Sequence, residues 1–165
     1  MRTRILQNNE ILAFDTDLIG SYSVCVDISH TWWFVDQEPR PDMIYAMRHA
    51  HEHLMSDIEM LESHVHIREL CFNGHELEAR YQKQKIGTKM HGVDLCDEWP
   101  SMPYAEGWND DAYDLFLEPG MVFCAESLVS PENGDFSIKL EDEILITETG
   151  DENLTKYAFD PRLVG

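Results

Sequence analysis

Basic residues are scarce in this sequence: Lys and Arg together number 12 against 32 for Asp and Glu, a formal charge of −20. Such a chain repels phosphate backbones and anionic bilayers, which excludes nucleic acid and acidic membrane surfaces as natural partners. Cysteine is sparse and dispersed. Cys25, Cys71, Cys96 and Cys124 form no C-x-x-C pair and no framework of the secreted kind, so a reducing cytosol is the expected compartment. The start of the chain, Met1-Arg2-Thr3-Arg4-Ile5-Leu6, lacks the apolar stretch of a signal peptide. Nowhere is there a run of about 18 apolar residues, which excludes a transmembrane helix. Internal repeats, low-complexity tracts and linkers are also missing. What is present, 165 residues of which 43% are hydrophobic, suits one compact unit with one core.

From Glu10 to Phe34 the chain is rich in β-branched and aromatic residues and is broken at Gly20-Ser21, a pattern that predicts a hairpin. After Pro39 and Pro41, the residues Ile44, Met47, Ala50, Leu54, Ile58 and Leu61 recur at helical spacing and predict a helix from Asp42 to about residue 62. A second amphipathic run from Ile67 to about Gln84, with Leu70, Leu77 and Tyr81 inward, predicts another helix despite Gly74. Residues 91–120 carry Pro100, Pro103, Gly107, Pro119 and Gly120 and read as a long loop suited to substrate contacts. Met121–Val129 and Ser137–Thr147 read as strands around a Pro131–Gly134 turn. The whole is expected to be α+β.

The acids on these strands are the candidate chemistry. Alternation along Phe14-Asp15-Thr16-Asp17 puts Asp15 and Asp17 on one face. Asp27, Glu126 and Glu141 are embedded in otherwise apolar strand text, where an ionised carboxylate is costly unless paired or bound to a metal. Any one of them alone reads as a strand-end acid facing water. Together with one imidazole, His91, they supply enough hard donors for two divalent ions sharing bridging carboxylates, a set suited to Mn, Fe, Co or Zn.

The order Asp, Asp, His, Glu, Glu along sheet elements is similar to that of the pita-bread metalloenzymes: methionine aminopeptidase, aminopeptidase P, prolidase and creatinase. Asp27-Ile28-Ser29-His30-Thr31 resembles the family's Asp-x-x-Arg-Thr segment, and His91-Gly92 its metal-histidine loop. Leu117-Glu118-Pro119-Gly120-Met121-Val122-Phe123 resembles the approach to the first metal glutamate, and the segment Leu140 to Gly150 the second glutamate strand. The resemblance runs from about Ile11 to Thr155. It implies a pita-bread fold with Asp15, Asp17, Asp27, His91, Glu126 and Glu141 as metal ligands. It also implies that residues 1–165 are the C-terminal portion of one catalytic domain, incomplete on its N-terminal side, whose full-length form is a homodimer.

Two departures separate the chain from the peptidases. In His91-Gly92-Val93-Asp94-Leu95-Cys96-Asp97-Glu98-Trp99-Pro100, Asp97 stands where those enzymes carry a second histidine, and Asp15-Thr16-Asp17 doubles a usually single aspartate. Both features, with Leu-Cys-Asp-Glu-Trp-Pro and Asp-Ile-Ser-x-Thr-Trp, resemble the dimethylsulfoniopropionate lyases of this fold. That resemblance implies β-elimination of a sulfonium carboxylate at a di-metal centre, iron foremost with Mn, Zn or Co as alternatives. Asp97 would be the base, desolvated among Leu95, Trp99 and Pro100. Trp32, Trp33, Trp99 and Tyr104 are the expected aromatic faces for the sulfonium. An Xaa-Pro dipeptidase or aminopeptidase, or a non-catalytic metal-binding remnant, are the rival readings. His49, His51 and His53 include an i, i+4 pair of the kind that binds zinc, but a solvated helix face is the expected reading, with His75 a surface or core-edge histidine and Cys96 a small apolar residue. Asp94 stands where relatives favour glycine, and His30 replaces an arginine and its bidentate fork.

Overall fold

The computed structural model describes residues 5–34, 36–109 and 114–164. The hairpin expected at the start consists of β1 (Ile11–Ile19) and β2 (Cys25–Trp33), paired antiparallel and joined through a 3-10 turn at Ser21–Ser23. Next come α1 (Pro41–Ile58) and α2 (Ile67–Phe72), followed by β3 (Thr88–Gly92) and β4 (Ser101–Pro103). The chain continues through β5 (Val122–Val129), β6 (Ile138–Thr147), β7 (Gly150–Asn153) and α3 (Pro161–Val164). The strands form one sheet in the order β1-β2-β6-β5-β3-β4, with β7 added along β6. The turn before β6 is as expected, closed by the Gly134 N–H on the Pro131 carbonyl at 2.9 Å.

Pro41 opens α1 at a position where its missing N–H has no helical partner, and Asp42 favours the positive end of the dipole. The buried face of α1, including Met43, Met47, Ala50 and Leu54, packs on β5 and β6. One face of the sheet is thereby sealed into the core. The other face is left for polar chemistry. No helix among the described residues is long and apolar enough to cross a membrane.

Several expectations are corrected. The second helix ends at Phe72 rather than near Gln84, because Gly74 takes a φ of +97° that an α-helix cannot hold; Leu77 and Tyr81 are buried from irregular chain instead. The segment 91–120 is not all loop, since β3 carries His91 and β4 follows it; residues 110–113 of that segment lie outside the described residues, as do 1–4. His49 and His53 are not on a solvated face. Both are buried, because the core-facing side of α1 includes them.

A buried ion pair accounts for the Gly74 position. A register shift between Thr88 and Met90 accompanies the inward placement of Lys89, whose ammonium donates to the carbonyls of Leu70 and Asn73 at 2.9 and 2.7 Å and lies 3.2 Å from Asp57 Oδ1. A Cβ at Gly74 would stand 2.7 Å from that same carboxylate oxygen. The Asp57 contacts to Lys89 and to His53, the latter at 3.4 Å, are electrostatic rather than well-directed hydrogen bonds. Asp57→Ala, which strands a buried ammonium, is expected to lower stability by about 3–5 kcal/mol in chemical denaturation; a loss under 1 kcal/mol would mean that the two carbonyls alone satisfy Lys89.

Candidate metal centre

Register decides which acids meet. Asp17 pairs with Asp27 and Asp15 with Ser29 across the hairpin; Ser29 pairs with Glu141, Glu141 with Glu126, and His91 with Cys124. Since alternate side chains share a face, these residues line the side of the sheet opposite α1. Donor atoms of Asp15, Asp27 and Glu141 lie within 4.8 Å of one another, as do those of Asp17, Asp27 and Asp97, of His91, Cys124 and Glu141, and of Asp27, His91 and Glu98. Asp27, His91, Glu126 and Glu141 are each no more than 2% exposed, whereas Asp15 and Asp17, on the edge strand β1, are exposed.

The hydrogen bonds knit the set together. His91 Nε2 lies 3.0 Å from Glu141 Oε1 and 3.6 Å from Asp27 Oδ2. The Ser29 hydroxyl is shared between Asp15 Oδ1 and Glu141 Oε2. The backbone N–H of Asp27 donates to Glu143 at 2.9 Å. Glu126 joins through a residue that the pattern of acids does not reveal: the Lys139 ammonium donates to Glu126 Oε2 and, at 2.9 Å, to Glu141 Oε2. The signal for it was a lone lysine two residues before Glu141, on the same strand face and amid Ile138 and Leu140.

Burial dominates the titration of this face. It pushes the Asp27 carboxyl up to about 8, with the negative charges of Glu141, Asp17 and Asp97 adding to it and His91 opposing. Burial alone works against the imidazolium at His91, but the hydrogen bond and charge of Glu141 outweigh it and carry His91 up to about 9. Glu126 is raised by burial against the pull of Lys139, while His91 and Lys139 overcome burial at Glu141 and hold it low. Asp27 Oδ1 is buried with no hydrogen-bond partner. An orphaned carboxylate oxygen amid converging oxygen and imidazole donors fits a divalent cation.

Asp97 sits on the loop after β3. That loop is held against the strand by the N–H groups of Gly92 and Trp99, which bond the carbonyls of Pro100 and Gly92 at 2.9 and 3.1 Å, and a Cβ at Gly92 would collide with the Trp99 carbonyl. Asp97 is half-buried, but Leu95 and Trp99 are 69% and 55% exposed, so the expected desolvation by those two side chains is not found. Its neighbours are instead the carboxylates of Asp17 and Asp27. Beside this loop lies a cavity of about 460 Å³ lined by Val24, Val26, Met121, Trp99, Asp94 and Glu143.

The aromatic expectations need correction. Trp33 is 2% exposed and its indole N–H is used on the Gln37 carbonyl, so it is a core residue. Trp32 alternates with Asp27 to the other face, where it meets Phe14, His30 and Tyr157. Tyr104 is buried beside His53 and the Lys85 ammonium. Trp99 alone of the set lines the cavity beside this loop, whose wall includes neither Asp97 nor any of Asp15, Asp17, Asp27, His91, Glu126 and Glu141. His30, buried, spends its Nε2 on Asp142 at 3.1 Å.

The model of metallopeptidase family M24 matches residues 1–148. Dimethylsulfoniopropionate lyase DddP of Roseobacter denitrificans is 59% identical over 162 residues, 98% of this chain and 36% of that protein, so the chain spans about a third of the relative's length. Among solved structures, dipeptidase PepE from Mycobacterium ulcerans superimposes with a TM-score of 0.75 at 19% identity, covering 95% of this chain and 40% of that one. Prolidase from Pyrococcus furiosus gives 0.72 at 22% identity, over 93% and 43%. The expected α+β pita-bread architecture is therefore the one observed.

Proposed function

The chain belongs to metallopeptidase family M24, and from that premise we propose that it is the metal-binding part of a lyase that splits dimethylsulfoniopropionate into dimethyl sulfide and acrylate. The observation that carries the reading is the position of Asp97: a carboxylate, rather than an imidazole, stands within 4.8 Å of the donor atoms of Asp17 and Asp27. Likeness to a lyase at 59% identity supports it.

Asp15, Asp17, Asp27, His91, Glu126 and Glu141 are the residues that would hold two divalent ions, iron foremost and Mn, Zn or Co as alternatives. Bound there, such ions would supply positive charge to hold the substrate carboxylate and to stabilise the charge that develops on it. Asp97 takes the proton from the carbon next to that carboxylate. The electrons left behind form the carbon–carbon double bond, the carbon–sulfur bond breaks with its pair going to sulfur, and Asp97 returns the proton to water. Asp94 and Glu143 in the cavity wall, and the charge of −20, favour a sulfonium cation, and the Trp99 face gives it a cation–π surface. Gas detection of dimethyl sulfide with quantification of acrylate tests the assignment. Release of proline from Xaa-Pro peptides, with no sulfide, would move it to the peptidases.

The titration of the face makes a separate prediction. Without metal, Asp27 at about 8 and His91 at about 9 both carry a proton at neutral pH, and both must lose it to become ligands. Protons compete with the cation below those values. Binding at pH 7 is thus expected to release about two protons, with affinity climbing as pH rises from 7 to 9 and levelling above. Calorimetry in buffers of different ionisation enthalpy reads this directly; binding that releases no protons would exclude these two residues as ligands.

A further inference from the structure

The buried histidines of α1 point to a second metal site, on the helical side of the sheet and away from the acid face. His49 and Glu52 are three residues apart on α1, a spacing that places both on one face of the helix. His75 arrives from the chain after α2, directly behind Gly74. Donor atoms of His49, Glu52 and His75 lie within 4.8 Å of one another. His49 is buried, His75 half-buried and Glu52 exposed, so the cluster opens to solvent on its carboxylate side.

Ring geometry narrows what the cluster suits. The imidazoles of His49 and His75 stand with centroids 5.1 Å apart and planes at 61°. Two imidazoles bound to one tetrahedral ion through nitrogens at about 2.0–2.1 Å place their ring centres about 5 Å apart, so the rings need little movement to share a cation. His75 Nε2 is buried and has no hydrogen-bond partner, a cost the fold carries with no protein group to offset it. His49 Nε2 accepts from the Glu78 N–H at 3.2 Å, so ligation through that nitrogen replaces this hydrogen bond.

We propose that His49, Glu52 and His75 form a zinc-type site that clamps the segment after α2 onto α1. Two nitrogen donors and one carboxylate favour Zn²⁺ or Co²⁺ over Mg²⁺ or Mn²⁺, in contrast to the oxygen-dominated acid face. The clamp closes over a working part of the fold. The pinned segment provides the Asn73 carbonyl to Lys89 and brings Gly74 against Asp57.

The test is Zn²⁺ stoichiometry of the whole chain, measured by titration and by metal analysis after dialysis, in the parent, in His75→Ala and in Glu52→Gln. His75→Ala is expected to bind one ion fewer than the parent. Glu52→Gln, at an exposed position that leaves the core untouched, is expected to bind that ion more weakly. Zn²⁺ is also expected to shift the Glu78 amide and the His49 and His75 ring resonances, and to do so in a Glu141→Gln background where the acid face is disabled. Equal stoichiometry in the parent and both variants, or resonances that Zn²⁺ leaves unmoved, would overturn the proposal without touching the reading of the acid face.

Discussion

Asp97→Asn is expected to lower sulfide release by about 10²–10⁴-fold, the usual contribution of a positioned general base, while the metal content of the chain stays at the parent value. The amide keeps the size and the hydrogen-bonding reach of the carboxylate, so the loop held by Gly92, Trp99 and Pro100 is undisturbed. What it loses is the ability to accept a proton. The split between activity and metal content is the informative part. Because Asp97 also lies within 4.8 Å of Asp17 and Asp27, a fall in metal content parallel to the fall in turnover would reassign it from base to ligand. Unchanged turnover would remove it from the mechanism.

Glu141→Gln is expected to have the largest effect on metal binding, weakening it by more than the roughly 10–100-fold that follows loss of an outer-shell partner. Glu141 is the hub of the face: it meets His91, Ser29 and Lys139, and its donors fall within the clusters formed with Asp15 and Asp27 and with Cys124. Glutamine preserves volume and spares the fold the full cost of an uncompensated buried charge that Glu141→Ala would bring. Circular dichroism should therefore match the parent while metal analysis does not. Retention of both ions would place the centre elsewhere on the face.

Much of the frame was readable from local pattern. The hairpin, α1, β5, β6 and the Pro131–Gly134 turn each follow from spacing or turn residues within a dozen positions, and all are present. The facing of Asp15 and Asp17 followed from strand period alone. The errors share a cause. The helix drawn to Gln84 respected the apolar period of Leu70, Leu77 and Tyr81, but those residues are buried by tertiary contact and needed no helix. Trp32, Trp33 and Tyr104 share an aromatic chemistry, yet strand alternation and core packing send them to different places. The polar letters of His49 and His53 predict a solvated face, but the helix turns both into the core. Their partners, the Glu78 N–H for His49 and Ser127 for His53, lie far along the chain and satisfy them in the interior.

The sequence by itself determined which donor types are available and that they ride on strands, because ligand chemistry and a period of two are properties of individual residues and their near neighbours. Tertiary structure alone decided who meets whom. His91 reaches Glu141 fifty residues later, Ser29 reaches it across 112, and Lys139 settles between Glu126 and Glu141 only once β5 and β6 are in register. A shift of one residue in either pairing would turn those carboxylates to the opposite face. The charge balance of the centre is thus a consequence of long-range strand pairing, which no local pattern contains.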